Sequence, residues 1–156
     1  MKKFTMLVLS SVLLIGTIGC GNNAKTSMNA PTSTEKTGEV PTTKTVQATQ
    51  NDASSKVRRA QLNSDIRARE QRNNLTGGDA DRANSDLASE VRSKLEANIP
   101  NGNLTVAAKD GAIVVSGTVQ VQNQLDKIEP LAKQIKGVKS VSVVAKVAPA
   151  VPNQKQ

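Results

Sequence analysis

Between about residues 84 and 148 the apolar positions recur with clear periods. Leu87, Val91 and Leu95 fall every four residues with Ala88 beside them, which predicts one amphipathic helix. Ser85 or Asp86 is placed to cap its start, and Pro100 closes its far end. Leu104, Val106 and Ala108 then alternate, Asp110-Gly111 reads as a two-residue hairpin turn, and Ile113, Val115, Gly117 and Val119 alternate after it. That turn pairs Lys109 with Ala112, Ala108 with Ile113, Val106 with Val115 and Leu104 with Gly117. The opposite face receives Ala107 with Val114 and Thr105 with Ser116. A one-residue slip would carry the apolar set to the wrong face, so the register is specified. Leu125, Ile128, Leu131, Ala132 and Ile135 share a second helical stripe that stops at Gly137. Pro130 lies inside it, so this helix either kinks there or starts later. Val141, Val143, Ala145 and Val147 alternate in a final strand.

These elements predict an α+β fold. It is a small α-β-β-α-β domain over 81–148, a three-stranded mixed sheet with two helices on one face, preceded by a disordered linker. The other sheet face stays mostly polar. About 65 residues bury roughly 60% of their unfolded surface, so stability is expected to be modest. Gly111 is expected to supply the positive φ of the turn, and Gly117 a small residue that lets a helix approach.

The rest of the chain lacks this patterning. Residues 20–55 are rich in Thr, Ser, Asn, Gln, Pro and Ala with no apolar period, and read as a disordered linker. A coil of that length would hold the domain a few nanometres, on the order of 5–6 Å × √n, from whatever anchors its start. Residues 56–80 are a basic, helix-prone segment. Over 56–72 Lys56, Arg58, Arg59, Arg67, Arg69 and Arg72 face only Asp65 and Glu70. Its apolar stripe, Leu62 and Ile66, is thin. It reads either as a helix on anionic headgroups or as a solvated helix, and the thin stripe favours the second. Thr76-Gly77-Gly78-Asp79 reads as a flexible joint, and 149–156 as a disordered tail.

Composition narrows the chemistry. The 156 residues contain no His, Trp or Tyr, one Phe (Phe4) and one Cys (Cys20). There is therefore no imidazole base, no His or multi-Cys metal site, no intrachain disulfide and no aromatic platform for bases. No cofactor and no catalytic residue is expected. Asp126 with Glu129, and Glu90 with Glu96, read as surface acids on helices. The net charge of +8 favours an anionic neighbour. Lys133, Lys136 and Lys139 gather around the end of the second helix, with Lys146 on the last strand. These four, with Arg58, Arg59, Arg67 and Arg69, are the candidate lipid contacts.

The N-terminus carries an address. Lys2 and Lys3 precede an apolar run from Met6 to Ile15, and Gly16-Thr17-Ile18-Gly19 lead into Cys20. Residues 1–19 resemble a bacterial lipoprotein signal peptide. The resemblance implies cleavage before Cys20 and a diacylglyceryl group on its thiol. Two acyl chains suffice for stable anchoring. Residues 21 and 22, Gly and Asn, lack the Asp that resembles an inner-membrane retention signal. Export to a periplasm-facing membrane surface, with the outer membrane mildly favoured, is the expectation, and it argues against a nucleic-acid partner.

The domain itself resembles the BON family. The match rests on Asp110-Gly111-Ala112-Ile113-Val114-Val115-Ser116-Gly117-Thr118-Val119, on Gly137-Val138-Lys139-Ser140-Val141, and on the preceding helix with Leu87, Val91 and Leu95. The resemblance implies a non-catalytic envelope protein that associates with phospholipid, often under osmotic or envelope stress. The expected partner is an anionic phospholipid membrane surface. The alternative is an adaptor or chaperone-like factor that binds an envelope protein instead.

Overall fold

A computed structural model describes residues 23–76 and 83–153. Residues 1–19, expected to be a signal peptide, Cys20, and Gly77-Gly78-Asp79, expected to be a flexible joint, lie outside the described residues. The element order is β1 (Asn23–Lys25), α1 (Thr43–Ser54), α2 (Lys56–Thr76), α3 (Asn84–Asn98), β2 (Asn103–Lys109), β3 (Ala112–Val119), α4 (Gln122–Lys133), β4 (Ser140–Val143) and β5 (Lys146–Val147).

The hairpin has the register that alternation dictates, from Lys109 opposite Ala112 to Leu104 opposite Gly117. Asp110 (φ 52°) and Gly111 (φ 86°) both take the left-handed conformation, as a two-residue turn between twisted strands requires. β4 and β5 are one predicted strand broken in two. The amides of Val144 and Ala145 both donate to the Val115 carbonyl, a local bulge, and both halves run parallel to β3. The helices α3 and α4 cover the apolar face. Leu87, Val91, Leu95, Leu104, Val106, Ile113, Val115, Val119 and Ile128 form its packed centre. α4 runs through Pro130, because the carbonyl deprived of its partner belongs to exposed Asp126. The helix α3 starts after Ala83 without a side-chain cap, and Asp86 lies in its first turn instead.

The sheet has five strands rather than three. The segment expected to be a disordered linker, described here from residue 23, belongs to the fold. β1 adds to the β2 edge, with Asn23 opposite Ala107 and Lys25 opposite Thr105. Residues 26–33 then cross the polar sheet face as a strap. Thr26 Oγ1 donates to the Gly102 carbonyl (2.9 Å) and accepts from the Leu104 amide (2.9 Å). The Ser27 hydroxyl donates to Asn103 Oδ1 (2.6 Å), Thr105 Oγ1 donates to the Pro31 carbonyl, and Ser116 Oγ donates to that of Ser33 (3.4 Å). Polar Thr105 and Ser116 are buried by this strap and satisfied by it.

The tail is also engaged within its described part. The Thr43 amide donates to the Val151 carbonyl (2.9 Å) and the Val151 amide to that of Pro41 (3.0 Å). Gly117 has a different role from the one its position suggested. Its φ is +118°, and a Cβ there would sit 2.0 Å from the Asn103 carbonyl oxygen. The close approach is made by the neighbouring strand, not by a helix.

Candidate functional site

The basic segment is the helix α2, and it packs along α3. Ser55 Oγ accepts from the Arg58 amide (3.1 Å) and starts it. Its inward positions are Arg58, Leu62, Asp65, Ile66, Arg69 and Asn73, which recur at helical spacing along one side. Among them only Leu62, which is buried, and Ile66, which is half-buried, are large apolar residues, and both lie outside the main core cluster.

Charges supply what the apolar stripe lacks. Arg58 Nε and Nη2 donate to the two oxygens of Glu96 at 2.5 and 3.0 Å. Arg92 bridges Glu96 (3.1 Å) and Asp65 (3.3 Å). Arg69 joins Asp65 (3.0 Å) to Asp86 (2.5 Å), and Arg72 adds to Asp86 (3.1 Å). Arg58, Glu96, Arg92, Asp65, Arg69, Asp86 and Arg72 thus form a continuous ladder of alternating sign along the α2–α3 seam. Glu90 and Glu96, expected on the surface, are each 1% exposed. Glu96 is tolerated there because a bidentate guanidinium and a second arginine surround it.

The protonation states follow. The hydrogen bond from Arg58 to Glu96 is the main cause that raises the Arg58 pKa further, against burial. Burial alone would raise Asp65. The hydrogen bond and charge of Arg69, the charge of Arg92 and the Ser93 hydroxyl outweigh it and hold Asp65 below its ordinary value. Arg69 is raised: burial opposes this, and Asp65 and Asp86 together prevail. Arg58, Gln61, Leu62, Ser64, Asp65 and Arg92 line a shallow groove of 470 Å³ on this seam.

The eight candidate lipid contacts therefore do not form one site. Arg58 and Arg69 are committed to the ladder. Arg59 and Arg67 lie on the exposed side of α2, where Arg67 Nε donates to the Asn63 carbonyl (3.3 Å). Lys133 pairs with Glu129 at 2.6 Å on the surface of α4.

Lys136 and Lys139 are exposed and sit beside the hairpin turn. The Lys139 amide donates to the Gly111 carbonyl (2.8 Å). The Lys139 stem lies over the turn, since a Cβ on Gly111 would be 2.8 Å from its Cγ and Cδ. Exposed Lys109 leads into the same turn and joins them. Sequence reading passed it over because nothing in the chain order links residue 109 to residue 139. Lys146 is elsewhere. It pairs at the level of Thr118, six residues along β3 from Ala112 and so about 20 Å away.

Among the described residues, no group of three or more metal-ligating side chains comes together, and no helix is long and apolar enough to cross a membrane.

The comparisons fit this architecture. Residues 83–149 match the family model of the BON domain. This segment is a BON domain. Its first helix is α3, its sheet is β2–β5, and α4 is its second helix. Osmotically-inducible protein Y of Escherichia coli (strain K12) is 44% identical over 55 residues, which are 34% of this chain and 27% of that protein. The chain thus spans little more than a quarter of that relative's length. No solved structure gives a significant match. The strap, α1 and α2 lie outside the BON domain and pack on it.

Proposed function

We propose that this chain is an exported lipoprotein of the cell envelope, held by acyl chains on Cys20, whose BON domain associates with anionic phospholipid under osmotic or envelope stress. The stress assignment draws on the relative's name, osmotically-inducible protein, and on the shared domain. The lipid assignment draws on one observation above all: exposed Lys136 and Lys139 stand together at the hairpin end of the domain. Each basic residue near an anionic surface adds about 1 kcal/mol, so a few lysines select lipids while two acyl chains decide residence.

The test uses the mature-length chain with Cys20→Ser, which removes the anchor and keeps the strap, α1 and α2. This protein is expected to sediment with phosphatidylglycerol vesicles at low salt, to release at high salt and to ignore phosphatidylcholine. Absence of binding to the anionic vesicles defeats the lipid assignment. It would favour the adaptor reading, for which β4, the last strand in the sheet order, offers an open edge. For the anchor, Cys20→Ala is expected to release the protein from membranes. A mature-length variant that still fractionates with them refutes acylation as the attachment.

A further inference from the structure

We infer that the hairpin end of the BON domain faces the bilayer directly, on a three-residue tether, with Lys109, Lys136 and Lys139 against anionic lipid headgroups. The inference rests on the proposed acylation of Cys20.

The chain enters the sheet almost at once. Asn23 already pairs with Ala107. Three peptide steps separate it from Cys20, a reach of at most ~11 Å. β1 is antiparallel to β2, so moving back from Lys25 to Asn23 moves forward along β2 from Thr105 to Ala107. The chain therefore comes into β1 from the side of the hairpin turn. Ala107 is three residues short of that turn, about 10 Å, which equals the reach of the tether. The opposite end of the sheet, at Thr118 and the start of α4, is about 20 Å from the turn.

The end that the anchor would bring to the surface is also a basic one. Lys109 precedes the turn, Lys139 lies along it and Lys136 stands next to Gly137, whose carbonyl is 2.9 Å from a Cβ built on Gly111. Asp110 is the acid within the turn itself. The start of α3 is drawn in as well, since Asn84 Oδ1 accepts from the Asp110 amide (2.8 Å). The occupant of this surface is the headgroup layer of the same membrane that holds the acyl chains. Charge complementarity and the length and direction of the incoming chain both select it.

The experiment uses the lipidated full-length mature protein in vesicles of phosphatidylethanolamine and phosphatidylglycerol. Acylated Cys20 has no free thiol, so one introduced cysteine takes a fluorophore. Ala112→Cys marks the hairpin end and Gln122→Cys the far end, both at exposed positions. Quenching by a headgroup-linked nitroxide lipid is expected to be at least threefold stronger at 112 than at 122. Equal quenching, or stronger quenching at 122, overturns the orientation. Adding Lys109→Glu and Lys139→Glu is expected to halve the signal at 112 or more; an unchanged signal overturns the lysine contact. Mass measurement of the mature N-terminus separates the two levels. A free Cys20 thiol defeats the acylation reading itself, whereas an acylated protein with the wrong quenching pattern defeats only this inference.

Discussion

Arg58→Met is the sharpest test of how α2 is held. The variant keeps the aliphatic stem and removes the guanidinium that binds both oxygens of Glu96. Glu96, 1% exposed, is left with Arg92 at 3.1 Å. Two unit charges at 4 Å interact by about 4 kcal/mol at an effective dielectric of 20. The Arg58 side chain is 31% exposed, so screening cuts this by about half, to ~2 kcal/mol. Glu96→Met removes the other charge, and the double variant leaves neither side of this pair uncompensated. Replacing both partners of such a pair by apolar groups often costs little. A double-mutant cycle on the Cys20→Ser protein should therefore return a coupling of about 1.5–3 kcal/mol, with the double variant more stable than the singles sum to. The assay is urea unfolding followed by far-ultraviolet circular dichroism, since the chain has no Trp or Tyr to report. A coupling under about 0.5 kcal/mol would refute the reading that this half-buried pair clamps α2 to α3.

Three further outcomes follow from single positions. Gly117→Ala should cost more than about 3 kcal/mol, because φ is +118° and the new Cβ meets the Asn103 carbonyl oxygen at 2.0 Å; a near-unchanged urea midpoint would contradict it. Thr118→Val should be neutral or stabilising by about 1 kcal/mol, because Thr118 Oγ1 is buried with no partner among the described residues; a clear loss of stability in the same assay would show that the hydroxyl is satisfied. Asp65 binds protons less readily folded than unfolded, so its stabilisation is full above about pH 4 and fades as pH falls through its lowered folded value. With no histidine, stability should be flat from about pH 5 to 8 and drop below 4. Asp65→Asn should shallow that acid drop, and an equally steep drop in the variant would exclude this carboxylate.

The domain was legible wherever burial is apolar and periodic. The hairpin register, the sides taken by α3 and α4 and the parallel last strand all follow from side chains that must leave water together. The N-terminal half was not legible because it docks by other means. Thr26, Ser27 and Pro31 attach the strap through hydroxyls and carbonyls, which recur with no period. The inward side of α2 carries Arg58, Asp65 and Arg69 beside Leu62 and Ile66, and a helix that half-buries charged residues looks, in sequence, like a helix that solvates them. The signal that could have found the seam is complementary spacing. Arg58, Asp65 and Arg69 on one helix face Glu96, Arg92 and Asp86 on the next, in reversed order. On the lysines the sequence grouped four residues by proximity along the chain. Folding kept Lys136 and Lys139 together, paired Lys133 with Glu129, sent Lys146 some 20 Å off and brought in Lys109.

The annexed N-terminus changes the electrostatics as much as the architecture. A flexible tether of about 35 residues would have a root-mean-square span of roughly 30–35 Å. At physiological ionic strength the Debye length is about 8 Å, so lysines on a domain at that distance would barely sense the membrane charge. With Asn23 fixed in the sheet, a lipid on Cys20 is at most ~11 Å from a folded residue. Under the proposed acylation the hairpin lysines would then lie within about one to two screening lengths of the headgroups. Lengthening the link between Cys20 and Asn23 with a 20-residue Gly/Ser insert leaves the acyl chains and every lysine in place, yet should weaken the preference for anionic lipid around the protein. The measurement is the enrichment of phosphatidylglycerol near a label at position 112, read by headgroup quenching in mixed vesicles. Undiminished enrichment in the lengthened protein would mean that the lysines hold the surface without help from the short tether.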